Sequence, residues 1–206
     1  MIDWRCWYSL FLMGKYVKVV DVKTLKRKAL LLPENFTGAE VDVYDGKNSL
    51  SLLTHIPWLK KLYCIDRWEE YEGYKNKDND FNCPDNYNVM EDAFKVFNKN
   101  ISFFKSKVEV LKMDSFEASK HIEDCSLDFV FIDGNHDYEY VKRDILAYLP
   151  KVKIGGILSG HDYIQFKGEP AQRYEVKKVV DELFKNKSIV GSIWMVEVGE
   201  LNNGKK

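Results

Sequence analysis

The 206-residue sequence predicts an α/β fold: a doubly wound, mostly parallel seven-stranded sheet with helices on both faces and an antiparallel C-terminal hairpin. Three observations carry that expectation. From residue 39 onward, short runs rich in Val, Ile and Phe alternate with runs of helical periodicity, the signature of strands buried on both faces. Acidic residues close the apolar runs at Asp66, Asp114, Asp133 and Asp162. The closing SIVGSIWMVEV reads as two strands joined by a turn at Gly191-Ser192.

In order, GAEVDVYDG is a strand ending in a glycine-bearing turn, and SLSLLTHI behind it is a helix stopped by Pro57. KKLYCID is the second strand. Residues 67–85 are polar, aromatic-rich and aperiodic, so they read as a long loop; a helix follows over Tyr87–Asn98, with Val89, Met90, Ala93, Phe94 and Phe97 on one face. KVEVLKMD is the third strand, and Ser115 caps a short helix after it. LDFVFIDG is the fourth strand. Tyr140, Val141, Ile145 and Leu149 set a helical period, and IGG then turns the chain into a fifth strand, ILSGHD. A last helix spans Tyr174–Phe184 before the hairpin.

Composition narrows the function classes. Hydrophobic residues make up 45% and charged residues 31%, and 31 basic against 32 acidic side chains leave a net charge of -1. No general polyanion-binding field follows, so no nucleic-acid partner is expected. No apolar run is long enough for a membrane span, and the N-terminus lacks a basic n-region and a small-residue cleavage site. Cys6, Cys64, Cys83 and Cys125 are scattered without metal-ligand spacing, which fits a reducing, cytoplasmic setting. Residues 1–32 are expected to form a helical, aromatic extension, 33–199 one domain, and 200–206 a polar tail.

In open α/β sheets, ligands bind beyond the carboxyl ends of the strands, so the chemistry is sought there. A glycine turn such as Glu40-Val-Asp42-Val-Tyr-Asp-Gly46 lets backbone approach a nucleotide-like ligand. Asp66, about 20 residues further on, suits the two ribose hydroxyls. Asp114 and Ser115 can meet an adenine amino group or cap a helix. Asp133-Gly-Asn-His136-Asp-Tyr and Gly160-His161-Asp162-Tyr place two Asp/His pairs on adjacent strand ends. Two carboxylates plus substrate oxygens suffice for a hard divalent cation, and a neutral histidine nearby can accept a hydroxyl proton. His136 is the first candidate base and His161 the second.

The series AEVDVYDG, LYCID, VLKMDS, LDFVFIDGNHDYEYVKRDI, LPKVKIGGILSGHDY and WMVEV resembles the class I S-adenosylmethionine-dependent methyltransferases, a Rossmann-like family. It is most similar to their metal-dependent macrocin and cephalosporin-type O-methyltransferase branch, over residues 33–198. The resemblance implies S-adenosylmethionine as cofactor, Mg²⁺ or another divalent cation, and a small-molecule or sugar hydroxyl as methyl acceptor. It places Glu40, Asp42, Gly46, Asn48 and Ser49 at the cofactor's methionine portion, Asp66 at the ribose, and Asp114 with Ser115 at the adenine. Asp133 borders the cofactor and serves catalysis with His136, while Asp133, His161 and Asp162 fall at metal positions. Relatives often carry an acidic residue where this chain has His161.

Asp42 stands where the family pattern, acidic-x-Gly-x-x-x-Gly, has its first glycine, so a second reading is a catalytically impaired methyltransferase fold that binds or scaffolds. A metallophosphoesterase is a remote third, since Gly134-Asn-His-Asp137 lacks the companion Asp-x-His and Gly-His-x-His. A nicotinamide-dependent dehydrogenase lacks its compact Gly-x-Gly-x-x-Gly. The N-terminal segment and loop 67–85, with Trp68, Tyr71, Tyr74 and Phe81, read equally as substrate walls or lids, or as a homo-oligomer interface.

Overall fold

The computed structural model describes residues 36–56, 58–69, 89–163 and 175–199. The N-terminal extension, the tail, Pro57 and Tyr71, Tyr74, Phe81 and Tyr87 lie outside the described residues. The strands are β1 (Phe36–Val41), β2 (Leu59–Asp66), β3 (Val108–Lys112), β4 (Leu127–Ile132), β5 (Val152–Gly160), β6 (Ser188–Val190) and β7 (Ile193–Glu197). They form a seven-stranded sheet in the order β3-β2-β1-β4-β5-β7-β6. β2 runs parallel to β3 and β4 parallel to β5, whereas β7 pairs antiparallel with both β5 and β6. The α-helices are α1 (Lys47–His55), α2 (Val89–Asn100), α3 (Ser115–Ser119), α4 (Tyr138–Tyr148) and α5 (Val176–Leu183). This is the Rossmann-like arrangement that the alternation of strands and helices predicts. No described helix is long and apolar enough to cross a membrane.

Two compact units make up the chain. In the first, which holds residues 40–115, β2 buries Leu59, Leu62, Cys64 and Ile65 completely. Helix α2 turns Ala93 and Phe97 inward, four residues apart and therefore on one face. The second unit holds residues 37–39 and everything described from 116 onward. Its core takes Val141, Ile145 and Tyr148 from α4 and Val176, Val179 and Val180 from α5, both at helical spacing. Full burial of a side chain such as Ile145 or Leu158 stabilises by roughly 1.5–3 kcal/mol.

One element departs from expectation. Ile154-Gly155-Gly156 is not a turn before the fifth strand but part of β5 itself. Pairing with β4 shifts from Leu127↔Val152 to Phe129↔Ile157, so β5 carries extra residues in a bulge. Gly155 adopts φ 80 there, and a Cβ on Gly156 would lie 2.9 Å from the Asp128 carbonyl oxygen. Backbone bonds from Gly155 N–H to the Val198 carbonyl, and from Val198 N–H to that of Gly156, close the bulge.

Candidate functional site: a braced turn and an Asp/His cluster

In the first unit, the chain leaves β1 through a turn whose every residue is tethered. Asp42 and Val43 donate their N–H groups to the Ile65 carbonyl, and Gly46 donates to that of Val43. Tyr44 N–H donates to Asp66 Oδ2 at 2.7 Å, and Asn100 Nδ2 donates to the Asp45 carbonyl at 2.9 Å. Gly46, at φ 74, precedes α1, and a Cβ there would sit 2.6 Å from the Phe97 ring. Only glycine suits both the space and the left-handed backbone.

Asp42 itself adopts φ 62, so it occupies the left-handed conformation that glycine takes most readily. Asp is among the residues that tolerate this region, at a cost of about 1–2 kcal/mol. The carboxylate side chain of Asp42 is half-buried.

Glu40 is buried, accepting hydrogen bonds from Asn48 Nδ2 at 2.9 Å and from the Ser49 hydroxyl. It therefore ties β1 to the start of α1. Asp66 is also buried; besides Tyr44 it accepts the Trp68 N–H at 2.6 Å. Burial raises the Asp66 pKa, and the N–H donors of Trp68, Tyr44 and Val43, with the charge of Lys112, oppose that rise. Two oxygens that each accept a backbone N–H still have lone pairs for a ligand hydroxyl. Asp114 follows β3, and buried Ser115 opens α3.

Trp68 corrects the sequence reading. It is 3% exposed, so it is neither lid nor interface. Its ring packs against Phe94 and Phe97 at centroid distances of 4.6 and 4.9 Å, and its indole N–H donates to the Tyr44 carbonyl at 2.8 Å.

The second unit holds the Asp/His cluster. Asp133 follows β4 and Asp162 follows β5; His136 sits in the loop between β4 and α4. One ligand atom each from Asp133, His136 and Asp162 lie within 4.8 Å of one another. His136 Nε2 donates to Asp162 Oδ2 at 2.8 Å, while Nδ1 of the same ring is buried. Asp162 adopts φ 55, a strained backbone of the kind found at functional sites. Gly160 makes that placement feasible, since a Cβ there would meet the Ile132 carbonyl at 2.5 Å and the Trp194 ring at 2.8 Å. A small pocket lined by Ile132, Asp133, His136, His161, Val176 and Trp194 opens on the cluster.

His161 stands beside that trio. Its Nδ1 is 3.2 Å from Asp162 Oδ1 and 3.7 Å from Asp133 Oδ1, and its Nε2 shares a hydrogen bond of 2.7 Å with the Ser192 hydroxyl. Burial alone would lower the His161 pKa, but its hydrogen bond to Asp162 and the charges of Asp133 and Asp162 prevail and raise it to about 9. Desolvation, with help from the Asp162 charge, pushes Asp133 up to about 6 against the pull of His161 and His136. The Asp133 side chain keeps 39% of its accessible surface, so water screens part of that effect. Desolvation would raise Asp162 as well, yet hydrogen bonds from His136 and His161 outweigh it and hold Asp162 below the usual carboxylate range.

The donor set fits a hard divalent cation: two carboxylates and an imidazole at ligand spacing. Two braces escape sequence reading. Glu175, at the start of α5, donates its N–H to the His136 carbonyl and accepts the Tyr138 N–H, both at 3.0 Å. Ser192, in the hairpin turn, holds His161. Both contacts are made across the fold, and no local pattern announces them.

Comparison with known proteins identifies a family and a shared fold. A family described as a methyltransferase domain matches residues 39–163, more than half of the chain. A candidate caffeoyl-CoA O-methyltransferase from Staphylococcus aureus superposes with a TM-score of 0.55 at 15% identity, covering 91% of this chain and 90% of that one. An rRNA methylase from Streptococcus thermophilus gives 0.53 at 12% identity, over 84% and 92% of the two chains. A candidate methyltransferase from Streptococcus mutans, solved in complex with SAH, gives 0.54 at 13% identity, over 79% and 88%. Among curated proteins, an uncharacterized protease of Methanocaldococcus jannaschii is 24% identical over 166 residues, which is 77% of this chain. The chain spans only 39% of that relative's length. By the extent of the family match, the chain belongs to the methyltransferase-domain family, within the class I S-adenosylmethionine-dependent methyltransferases.

Proposed function

We propose that the protein transfers the methyl group of S-adenosylmethionine to a hydroxyl oxygen of a small molecule or sugar, with a divalent cation held at the Asp/His cluster. The observation that supports this most is the meeting of Asp133, His136 and Asp162 at ligand distance beyond the ends of β4 and β5. The Streptococcus mutans relative solved with SAH supports the cofactor, and the Staphylococcus aureus relative supports oxygen as the acceptor.

Glu40 at the end of β1 and the turn through Asp42 to Gly46 are assigned to the methionine portion of the cofactor, Asn48 and Ser49 of α1 to cofactor binding beside it, Asp66 to the ribose, and Asp114 and Ser115 to the adenine. In the reaction the methyl carbon leaves sulfur and bonds to the acceptor oxygen. The C–S electron pair stays on sulfur, which becomes a neutral thioether, and the hydroxyl proton must go to a base. His136 Nε2 is the nitrogen a hydroxyl can reach, because Nδ1 is buried. Accepting the proton there requires the Nδ1–H tautomer and displacement of the Asp162 contact. Asp133 and Asp162 would hold a divalent cation, with His161 supplying an imidazole and His136 kept for the proton. A cation so held favours the ionised form of a nearby hydroxyl. For the rest the protein positions the two reactants.

Methyl transfer to a panel of sugar, phenolic and small-metabolite hydroxyls, read by SAH release with Mg²⁺ and with a chelator, tests this reading. Turnover that the chelator abolishes is expected. Turnover indifferent to the chelator would remove the cation from the account. Absence of cofactor binding and turnover in the parent protein, with binding recovered in Asp42→Gly, would favour the second reading, an impaired methyltransferase fold, which the left-handed Asp42 carboxylate motivates.

A further inference from the structure

We propose that Trp68 is a positioning residue for the cofactor turn: by clamping the Tyr44 peptide it holds the left-handed backbone that this chain builds at Asp42 and Tyr44 with no glycine at either position. This rests on the assignment of the turn to S-adenosylmethionine. Asp42 and Tyr44 both take positive φ, 62 and 52, although neither is glycine. A side chain with a Cβ resists that region, so something must hold it there.

Tyr44 is gripped at both ends of its residue. Its N–H donates to Asp66 Oδ2 at 2.7 Å, and its carbonyl accepts the Trp68 indole N–H at 2.8 Å. Asp66 and Trp68 are themselves tied together, since the Trp68 N–H donates to Asp66 Oδ1 at 2.6 Å. The indole cannot swing away, because it is buried between the turn and the rings of Phe94 and Phe97. Trp68, itself at φ 48, is thus held in place by α2 and transmits that order to the turn. The same brace reaches a second part of the cofactor assignment, since the oxygens of Asp66, assigned to the ribose, accept from Tyr44 and Trp68.

The test uses the full chain and two readouts. Trp68→Phe keeps a ring against Phe94 and Phe97 but deletes the indole N–H. Benzothienylalanine at position 68, with sulfur in place of that N–H, does the same with the ring shape kept, should the phenylalanine variant fold poorly. Amide exchange at residues 42–46 of the cofactor-free protein is expected to speed up about tenfold, and SAH affinity in calorimetry to fall about tenfold. In turnover, the KM for S-adenosylmethionine should rise with kcat nearly unchanged. Adding Tyr44→Gly to either variant should recover most of the SAH affinity, because glycine takes the left-handed backbone unaided. Unchanged exchange and affinity on loss of the N–H would overturn the proposal, as would an affinity loss that Tyr44→Gly does not recover. If the parent protein binds no SAH, the cofactor reading fails, while faster exchange in the variants still supports the brace.

Discussion

His136 and Asp162 meet through Nε2 and Oδ2 at 2.8 Å, joining the loop after β4 to the end of β5. This contact puts the candidate base and a candidate cation ligand on one hydrogen bond. Removing either partner should therefore give different losses. Asp162→Ala should abolish cation binding and turnover together. His136→Ala should lower kcat by about 10²–10⁴, the usual range for a general base, with cofactor affinity intact. Isothermal titration with Mn²⁺ alongside turnover separates the two, and equal turnover in His136→Ala and the parent would remove the base.

Cation affinity should rise with pH in two stages. Asp133, pushed up to about 6, is neutral below that point and a carboxylate above it. His161, raised to about 9, stays an imidazolium beside both carboxylates until the pH passes that value. Its charge opposes a cation until then. Mn²⁺ titrations across this range should show tightening near both values, and His161→Gln should lose the upper stage. A pH-independent affinity would contradict this electrostatic picture.

The same histidine makes an opposite prediction for stability without cation. Its folded pKa lies above the ordinary 6.5, so the protein gains stability from its protonation. That gain is fully present below about 6.5 and is lost as pH climbs through 9. The Tm in the presence of chelator should fall over this window, and His161→Gln should flatten the fall. A parent protein whose Tm is flat there would show that His161 is not held as described.

Gly160→Ala should destabilise by about 1–3 kcal/mol through overpacking against the Ile132 carbonyl and Trp194, and should weaken cation binding by moving Asp162. Denaturant unfolding measures the first effect and Mn²⁺ titration the second. A neutral substitution would mean that β5 and Trp194 separate without cost.

The strand ends were legible because each acidic residue closes an apolar run, and because Asp133-Gly-Asn-His136 and Gly160-His-Asp162 are local patterns. The bulge in β5 was not: Ile154-Gly155-Gly156 has turn composition, and only the pairing to β4 and Val198 shows that the strand continues through it. Trp68 misled for a related reason. An aromatic residue in a polar stretch reads as exposed, yet Phe94 and Phe97, arriving from α2, bury it. Glu175 and Ser192 act at distances of 37 or more and 31 residues along the chain, beyond the reach of any periodicity. Asp42 could be flagged from sequence as a departure, but its left-handed backbone, φ 62, could be seen only in the structure.

The central claim is that this turn still receives S-adenosylmethionine. Calorimetric titration of the purified protein with S-adenosylmethionine and SAH, with and without Mg²⁺, tests it most directly, with Asp42→Gly in parallel. The account predicts saturable binding by the parent protein, tightened about tenfold in Asp42→Gly as a negative charge near the cofactor carboxylate is removed. Absence of binding by the parent protein would contradict it, whether or not Asp42→Gly recovers binding.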